Sequence, residues 1–530
     1  MFSCDIQQAT KIPVVTFQPW WVSRPLPRGL RSVAYKRPLP PPRDHVHILR
    51  TSTSNHLRAE VVFSLHPLLA KPMSTKIPRP PGIPILGNVF DVNPNETWNS
   101  LIKLAKEYGP IFKIKALGKQ IVFIGNVELL EEICDQQRFR KCVTGPIVEM
   151  RQCANDCLFT AYDDEKSWGI AHRIMIPFVT ESGTDAYFDD MATTISSLTR
   201  KWTTTVKQPV LITDDLDRLL MASCMQCFFN QRVEVLQGPD PAIIPALERI
   251  TLEAIKRPTR PNLLNRLLYQ RGFENDIKAM RDFASGIIQR RKNTPEESRQ
   301  DLLDAILNGT DPETGEKLND TRAVDEVVTM FIGAATSSNL VSYALYYLLE
   351  NPDKRTKAYA EVDSIIGSDQ TIRLERLKEL KYCEAIILES LRLSAVAPGF
   401  NIEPIPTEDK SPVLLAGGKY EIPHDQTMIT ILHSVNRDPA VFEDPETFNP
   451  ERMLGEKWEN LPSGAKKGFG NGKRQCYGKK WAWRWSVLTL ASILKDVSFE
   501  FQDPGYKLAS NGAFSVKPLN FHGLVSPRTK

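Results

Sequence analysis

The 530-residue sequence lacks several features that would assign it to a distinctive structural class. No apolar run reaches the ~18 residues that cross a bilayer, so we expect no transmembrane anchor. The nine cysteines are an odd number without the spacing of a disulfide framework, which favours a reducing compartment. There is no internal repeat and no clustered basic face, so nothing indicates a nucleic-acid partner. We expect a large globular, cytoplasmic and monomeric protein.

Positive charge is concentrated near the N-terminus. Residues 1–72 contain ten Lys or Arg and three Asp or Glu, so the overall charge of +4 leaves about −3 for the remainder. The same segment has ten prolines and no helical or strand period. It could be a transit-like leader, a disordered extension, or sequence preceding a true start at Met73. We expect residues 1–73 to be disordered or wrongly included, and residues 74–530 to form one domain.

Hydrophobic periodicity after residue 74 predicts mainly helices with small sheets beside them, an α+β class. The stretch "NSLIKLAKEYG" is amphipathic, and "IFKIKAL" and "QIVFIG" read as a hairpin that turns at Gly118. A long apolar helix is expected from about Asp325 to Glu350, ended by Asn351 and Pro352. Another helix is expected over "LKYCEAIILESLRL", and short strands over "VLLA", "MITIL" and "VSFEF".

One cysteine pair has the spacing of half a zinc site. Cys224 and Cys227 form a C-x-x-C motif. No second pair and no nearby histidine completes a tetrahedral ligand set. We therefore expect these two residues to be a buried pair on a helix.

A different cysteine stands in the segment "GFGNGKRQCYGKKWAWRW". Phe469, Gly472, Arg474, Cys476 and Gly478 have the spacing F-x-x-G-x-R-x-C-x-G. The glycines permit a tight bend and a close approach to a flat ligand. A helix is predicted just afterwards, and its N-terminus would stabilise a thiolate and lower the thiol pKa. A thiolate with a nearby cation suits an iron porphyrin, with sulfur on the iron and Arg474 on a carboxylate.

This segment resembles the haem-binding signature of the cytochrome P-450 superfamily. Two other motifs agree with the resemblance. Glu389 and Arg392 in "ESLR" match the family's E-x-x-R, and their i, i+3 spacing allows an ion pair. Arg452 in "FNPERM" matches the arginine that completes this structural triad. The implied fold holds haem b between the long central helix and the cysteine loop.

The resemblance assigns further residues to the haem. Trp168 and His172 lie at i, i+4 on one helix face and resemble residues that donate hydrogen bonds to haem propionates. Lys141 and Phe469 are also expected to contact the cofactor. Cys476 is the expected ligand of the iron.

Residues 74–527 most closely resemble the haem domain of the self-sufficient fatty-acid hydroxylases of bacteria and fungi. The segments that carry this likeness are "LAKEYGPIFKI", "LFTAYDDEKSWGIAHRIMIP", "LNGTDPETGEKLND" and "SYALYYLLENP". Those enzymes fuse a haem domain to a flavin reductase. No segment of this sequence resembles an FMN, FAD or NADPH domain. We therefore expect electrons from NADPH to arrive through a separate NADPH–cytochrome P-450 reductase or another flavodoxin-like donor.

Several lysines flank the cysteine loop and would lie on the sulfur side of the haem. They are Lys466, Lys467, Lys473, Lys479 and Lys480. A basic face of this kind could steer an acidic flavodoxin-like partner. An ordinary solvated surface explains the same residues equally well.

The long helix departs from the family pattern (A/G)-G-x-(D/E)-T-(T/S). Residues 332–337 read IGAATS, so Ala335 replaces the acid that helps deliver protons in the family. Thr336 and Ser337 are the expected catalytic residues, and Ile332 adds bulk. Three alternatives remain open. Hydroxylation could proceed through these hydroxyls and water, the oxidation could be atypical (desaturation, ring formation or rearrangement), or dioxygen activation could be impaired. The last would leave peroxide-driven or redox-neutral haem chemistry, or a haem protein without turnover.

Substrate contacts are suggested at a few positions. Phe159 matches the aromatic side chain that stands over the haem in the fatty-acid hydroxylases. Lys119 replaces an Arg that holds a carboxylate there, while Phe123 replaces a Tyr. Ile332 and Ala397 are also expected at the substrate. We expect a monooxygenase for an apolar or carboxylate-bearing small molecule, a tailoring step in fungal secondary-metabolite biosynthesis, with fatty-acid hydroxylation as the alternative.

Overall fold

The structure is a computed structural model that describes residues 74–116, 118–206, 208–238, 242–294, 299–367, 371–512 and 514–529. The expectations about residues 1–73 lie outside this described part. Within it, helices predominate and the sheets are small, so the expected α+β class is confirmed.

Eighteen α-helices lie within the described residues. In chain order they are α1 (Thr97–Tyr108), α2 (Val127–Ile133), α3 (Pro146–Ala154), α4 (Lys166–Met175), α5 (Glu181–Asp185), α6 (Phe188–Thr204), α7 (Ile212–Phe229), α8 (Ile243–Lys256), α9 (Asn262–Leu264), α10 (Gln270–Asn293), α11 (Leu302–Asn308), α12 (Asp320–Glu350), α13 (Pro352–Ile366), α14 (Leu374–Leu377), α15 (Lys381–Leu393), α16 (Leu432–Val435), α17 (Gly455–Glu459) and α18 (Lys479–Asp496).

Ten strands in the described residues form three sheets. They are β1 (Ile111–Ala116), β2 (Lys119–Ile124), β3 (Phe139–Lys141), β4 (Pro209–Leu211), β5 (Asn401–Pro404), β6 (Val413–Leu415), β7 (Tyr420–Ile422), β8 (Met428–Thr430), β9 (Val497–Phe501) and β10 (His522–Pro527). The sheet orders are β1-β2-β8-β5-β3, β4-β10-β9 and β6-β7. The predicted hairpin is confirmed, because β1 and β2 pair antiparallel with Ile111 opposite Ile124.

Helix α12 runs through the main hydrophobic core. It begins at Asp320, before the expected Asp325, because the Asn319 side chain caps it by accepting the Arg322 N–H at 2.9 Å. It ends at Glu350, as predicted. By length and composition this helix could cross a membrane, but 72% of its apolar window is buried inside the fold. Packing within the protein therefore accounts for its apolar character.

Two helices pack along α12 and hold the centre of the molecule together. They are α7 and α18. Cys224 and Cys227 are fully buried on α7 and have free thiols, so the prediction of a buried helical pair is confirmed. Since the cysteine loop leads directly into α18, this packing brings the loop close to the central helix.

Candidate functional site

Backbone hydrogen bonds fold the cysteine loop. The Cys476 N–H donates to the Phe469 carbonyl at 2.8 Å, and the Gln475 N–H donates to the Gly472 carbonyl at 3.0 Å. Helix α18 begins at Lys479, so Cys476 lies just before a helix N-terminus, where the sequence placed it. The sulfur is thus carried on a short bend that its own backbone holds closed.

Two glycines in this loop occupy backbone conformations that other residues rarely adopt. Gly470 has φ of 81° and Gly472 has φ of 57°. A Cβ at position 472 would overlap the side chain of Gln136, whose Oε1 accepts the Lys473 N–H at 2.8 Å. The loop therefore needs glycine for its bend and for its contact with the protein beneath it.

Cys476 is the exposed one among the described cysteines. Even so, the surrounding protein shields the thiol from bulk water, and this desolvation raises its pKa. The Gly478 N–H and the Lys479 charge lower the pKa, but their effect is smaller. A thiol with accessible surface and little contact with bulk water borders an internal space. The predicted lowering of the pKa is wrong for the polypeptide alone, because desolvation dominates. A metal cation on the sulfur would favour the thiolate instead.

Helix α12 also borders accessible space, at its middle. Gly333 is exposed and residues 334–336 are half-buried, although the helix on either side is buried. A Cβ on Gly333 would meet no atom within 4 Å. An opening in the middle of a core helix is typical of a ligand cavity.

The two expected catalytic hydroxyls differ in their surroundings. Thr336 belongs to the accessible stretch, and its hydroxyl donates to the Gly333 carbonyl at 3.2 Å. Ser337 is buried, since the next residue on a helix points about 100° away. Ile332 is buried as well. Of the two hydroxyls, the one that borders the cavity is that of Thr336.

The residues assigned to the haem carboxylates lie together. Arg474 lies with its guanidinium carbon 5.1 Å from the centre of the Trp168 ring, which stacks on His172 at 5.0 Å. Lys141 donates to the Phe159 carbonyl. Burial, and secondarily the charge of Arg474, lowers the Lys141 pKa to about 7.

One member of this cluster was missed by the sequence analysis. Asp163 accepts from Arg474 at 2.7 Å and lies 3.3 Å from the Lys473 ammonium. The paired acids in "YDDEK" were visible in the sequence, but nothing in their spacing linked them to a residue about 300 positions away. The cluster is thus a set of cations that already contains one carboxylate.

These residues fit an iron porphyrin with two carboxylate arms. Cys476 offers a soft ligand with accessible surface, and Lys141 and Arg474 supply two cations that an anion would stabilise. Within the described residues the ring nitrogens of Trp168 and His172 make no hydrogen bond, so both can serve a carboxylate. No group of three or more His, Cys, Asp or Glu residues in the described part could hold a bare metal ion.

Glu389, Arg392 and Arg452 meet in one buried network. Arg392 makes two hydrogen bonds of 2.7 Å to the two carboxylate oxygens of Glu389. Arg452 reaches the same carboxylate at 3.1 Å. Arg392 also donates to the Asn436 and Pro445 carbonyls at 2.8 and 2.7 Å. The network joins α15 to the chain that leads into the cysteine loop.

The expected substrate residues occupy several environments. Phe159 is half-buried and packs edge-on against Phe514 at 5.7 Å, a partner that the sequence did not suggest. Ala397 is half-buried, and Lys119 is exposed at the start of β2. Phe123 is buried and stacks on another core ring, so it cannot act as a carboxylate anchor.

A depression of about 260 Å³ lies beside the cysteine loop. Lys466, Lys479 and Lys480 line it together with Trp458 and Trp483. Lys480 pairs with an exposed glutamate at 3.0 Å, so part of the positive charge is neutralised. The depression combines cations with large apolar rings, a composition that suits docking of an acidic protein.

Comparison with known proteins agrees with this arrangement. A family model described as cytochrome P-450 matches residues 77–522. The chain is 36% identical over 458 residues to the bifunctional cytochrome P-450/NADPH–P-450 reductase ascE of Acremonium egyptiacum. The matched region covers 85% of this chain and 43% of that protein. It is 34% identical over 462 residues to the self-sufficient cytochrome P-450 monooxygenase CYP505E3 of Phanerodontia chrysosporium, covering 86% of this chain and 43% of that protein. The chain therefore spans about two fifths of the length of these relatives.

Proposed function

The chain belongs to the cytochrome P-450 family, and on that premise we propose that it is a haem-thiolate monooxygenase acting on an apolar or carboxylate-bearing small molecule. The observation that carries this proposal is the exposed thiol of Cys476, on a glycine-bent loop that leads into α18, a helix packed along α12. When bound, haem b supplies reductive activation of dioxygen, in which one oxygen enters a C–H bond and the other leaves as water.

The polypeptide would orient the cofactor at two places, the edge that carries the carboxylates and the iron, which a cysteine sulfur would bind. Lys141 and Arg474 would hold the carboxylate arms, with Trp168 and His172 as further donors. The sulfur of Cys476 would be the ligand of the iron. Because backbone hydrogen bonds within the loop close it, the position of the sulfur would not depend on which substrate is bound.

On the substrate side the chain has to exclude water and to hold protons. Phe159 and Phe514 would form an aromatic wall. Ile332 is buried in the core, outside the accessible residues 333–336 of α12. The Thr336 hydroxyl can hold a water molecule while it donates to the Gly333 carbonyl. With Ala335 next to it, this hydroxyl is the group that we assign to proton delivery.

Electrons would come from NADPH through a flavodoxin-like donor, and we assign its docking to the lysine-lined depression. We further propose a tailoring step in fungal secondary-metabolite biosynthesis. The support is the pair of departures from the fatty-acid hydroxylases, Ala335 on α12 and the buried Phe123 on β2. Fatty-acid hydroxylation remains the alternative substrate assignment.

The proposal is tested by turnover with a reductase and NADPH under isotopically labelled dioxygen. A metabolite extract and long-chain fatty acids serve as separate substrates, and Cys476→Ser is the inactive control. We expect a product in the extract that carries one labelled oxygen. Efficient labelling of fatty acids alone would overturn the tailoring assignment, and an unlabelled product would overturn the monooxygenase assignment.

Ala335 favours a second candidate function, peroxide-driven or redox-neutral haem chemistry. Without a carboxyl at this position, proton delivery to dioxygen has one fewer donor. Product formed with peroxide, or with neither NADPH nor reductase, would establish this second function. The labelling experiment separates the two, because only the first takes its oxygen atom from dioxygen.

A further inference from the structure

A polar network lies where α12 packs against α7. Ser338 follows Ala335 by three residues, so their groups meet within one helical turn. The Ser338 Oγ lies 2.5 Å from Oδ1 of Asp217 and 3.2 Å from the Ala335 carbonyl oxygen. A hydroxyl has one hydrogen, so Ser338 can donate fully to only one of these oxygens at a time.

A second chain of hydrogen bonds reaches the same carbonyl. The Ser515 Oγ lies 3.5 Å from the Ala335 oxygen and accepts from Nδ2 of Asn339 at 2.8 Å. The Asn339 Oδ1 is buried and makes no hydrogen bond within the described residues. The Ala335 carbonyl thus stands at the end of two chains, and the one through Ser338 leads to a titratable acid.

Asp217 is connected to solvent. Its side chain keeps 19% of its accessible surface, which allows proton exchange with water. Lys517 lies 3.6 Å from Oδ2 of Asp217 and 3.2 Å from the half-exposed Glu248 on α8. Burial raises the Asp217 pKa to about 6, against the lowering effects of Lys517 and Ser338, while Glu248 and Asp214 raise it further.

We infer that Asp217 is a positioning residue for α12, whose proton decides whether the Ser338 hydroxyl points towards Asp217 or towards the Ala335 carbonyl. An ionised carboxylate only accepts, so Ser338 donates to it. A neutral carboxylic acid donates its own proton to the Ser338 oxygen, and the Ser338 hydrogen turns to the carbonyl. No group other than the Asp217 carboxyl gains or loses a proton in this change.

The consequence falls on the accessible stretch of α12. Ala335 lies within residues 333–336 and directly precedes Thr336. An extra donor on its carbonyl strengthens the hydrogen bonding of this turn when Asp217 is neutral. The side chain at position 335 of α12 is alanine and carries no acid. The carboxyl of Asp217, on the neighbouring helix α7, is connected to the Ala335 carbonyl through the Ser338 hydroxyl.

Amide hydrogen exchange of the haem-loaded protein tests the switch without turnover. Peptides covering residues 333–343 are compared at about one pH unit below and above the Asp217 pKa of about 6, with correction for intrinsic exchange. One neutral hydrogen bond corresponds to roughly a fivefold change in exchange. We expect about fivefold stronger protection at the lower pH in the wild type, and no pH effect in Asp217→Asn or in Ser338→Ala.

Asp214→Asn is the matched control, because this acid lies on the same helix and pairs with Arg218 at 2.9 Å. It should keep a pH effect of wild-type size, displaced to slightly lower pH because the Asp214 charge helps to raise the Asp217 pKa. A pH effect that persists in Ser338→Ala would overturn the proposal even if Asp217→Asn failed to fold. Equal loss of the effect in Asp214→Asn would overturn it too, by showing a general charge effect.

A second readout applies if the proposed function holds. The ratio of product to NADPH should change through about pH 6 in the wild type, and should be flat in Ser338→Ala. The exchange experiment uses no substrate and no reductase. A protein without monooxygenase activity can therefore still show the Asp217 switch, and the failure of one proposal is distinguishable from failure of the other.

Discussion

At the scale of single residues, the informative property of Cys476 is that its side chain has accessible surface although protein surrounds it. Its side chain is exposed, yet burial raises its pKa. The loop closes through the backbone hydrogen bond from Cys476 to Phe469, which does not involve the thiol. Removing the thiol should thus affect ligation of the iron and leave the fold intact.

Cys476→Ser should abolish the long-wavelength ferrous–CO absorption band typical of thiolate ligation. The reason is that an alcohol is a far weaker and harder ligand than a thiolate. Circular dichroism should remain that of the wild type. Cys134→Ser, at the half-buried cysteine whose carbonyl accepts from Asn471, is the control and should retain the band. Retention of the band in Cys476→Ser would contradict the assignment of the ligand.

Lys141 gives a prediction with a defined pH dependence. Its pKa is lowered from 10.5 to about 7 in the folded chain, so between these values the unfolded chain holds a proton that the folded chain has released. Stability of the cofactor-free polypeptide should therefore rise with pH across this window. Lys141→Met should stabilise that polypeptide by about 2 kcal/mol below pH 7 and flatten the slope.

The same substitution should weaken haem binding, since it removes a cation from the carboxylate cluster. Urea unfolding at several pH values measures the first effect, and haem titration measures the second. Lys103→Met, on the exposed side of α1, is the control and should change neither. A haem affinity that is unchanged in Lys141→Met would remove this residue from the cofactor site.

Thr336→Ala tests the hydroxyl that borders the cavity. NADPH consumption should continue, while the yield of product per NADPH should fall by about tenfold or more, because proton delivery loses its positioned donor. Ser337→Ala is the matched control. Its hydroxyl is buried, so coupling should stay near that of the wild type. Equal coupling in both variants would exclude Thr336 from the mechanism.

At the scale of elements, the buried triad ties α15 to the chain before the cysteine loop. Glu389→Gln would leave the buried Arg392 and the half-buried Arg452 without their carboxylate, which typically costs about 3–5 kcal/mol. Arg376→Gln is a matched control, because its i, i+3 pair with Glu379 is about half exposed and should contribute under about 1 kcal/mol. Denaturant unfolding compares the two. Similar losses in both variants would contradict the structural role of the triad.

Local patterns predicted most of the elements and the position of the cysteine loop before α18. The hairpin, the end of α12, the buried cysteines of α7 and the helix after the cysteine loop follow from periodicity, caps and breakers that act within a few residues. The start of α12 was missed because the cap at Asn319 precedes the apolar residues. The three-residue strand β3 and the four-residue strand β5 were missed because each exists only through pairing with a distant segment.

The same distinction applies to the site. The glycine and cysteine spacing is a local signal, and it located the loop. The contacts of Asp163 with Arg474 and of Asp217 with Ser338 join residues far apart in the chain. Each acid looks like an ordinary surface residue in the sequence, so neither could be assigned before the fold was known.

At the scale of the whole molecule, the lysine-lined depression is the face that we propose for an electron donor. Lys466→Glu with Lys480→Glu should slow reduction by an acidic flavodoxin-like donor about tenfold at low salt, and the difference should shrink at high salt, as long-range steering is screened. The control reverses two exposed lysines elsewhere, Lys103 and Lys507. Equal slowing in the control would point to net charge and would contradict docking at this face.

Among the described cysteines, Cys476 is exposed, Cys134 is half-buried and the others are buried, and the exposed thiol is the expected iron ligand. The reactivity of Cys476 therefore reports the fraction of chains that have bound haem. A maleimide should modify Cys476 in cofactor-free chains and should spare it in loaded ones, while the buried cysteines stay unmodified in both. Mass spectrometry of the labelled peptide then gives the loaded fraction of a preparation directly, without reference to colour or to catalysis.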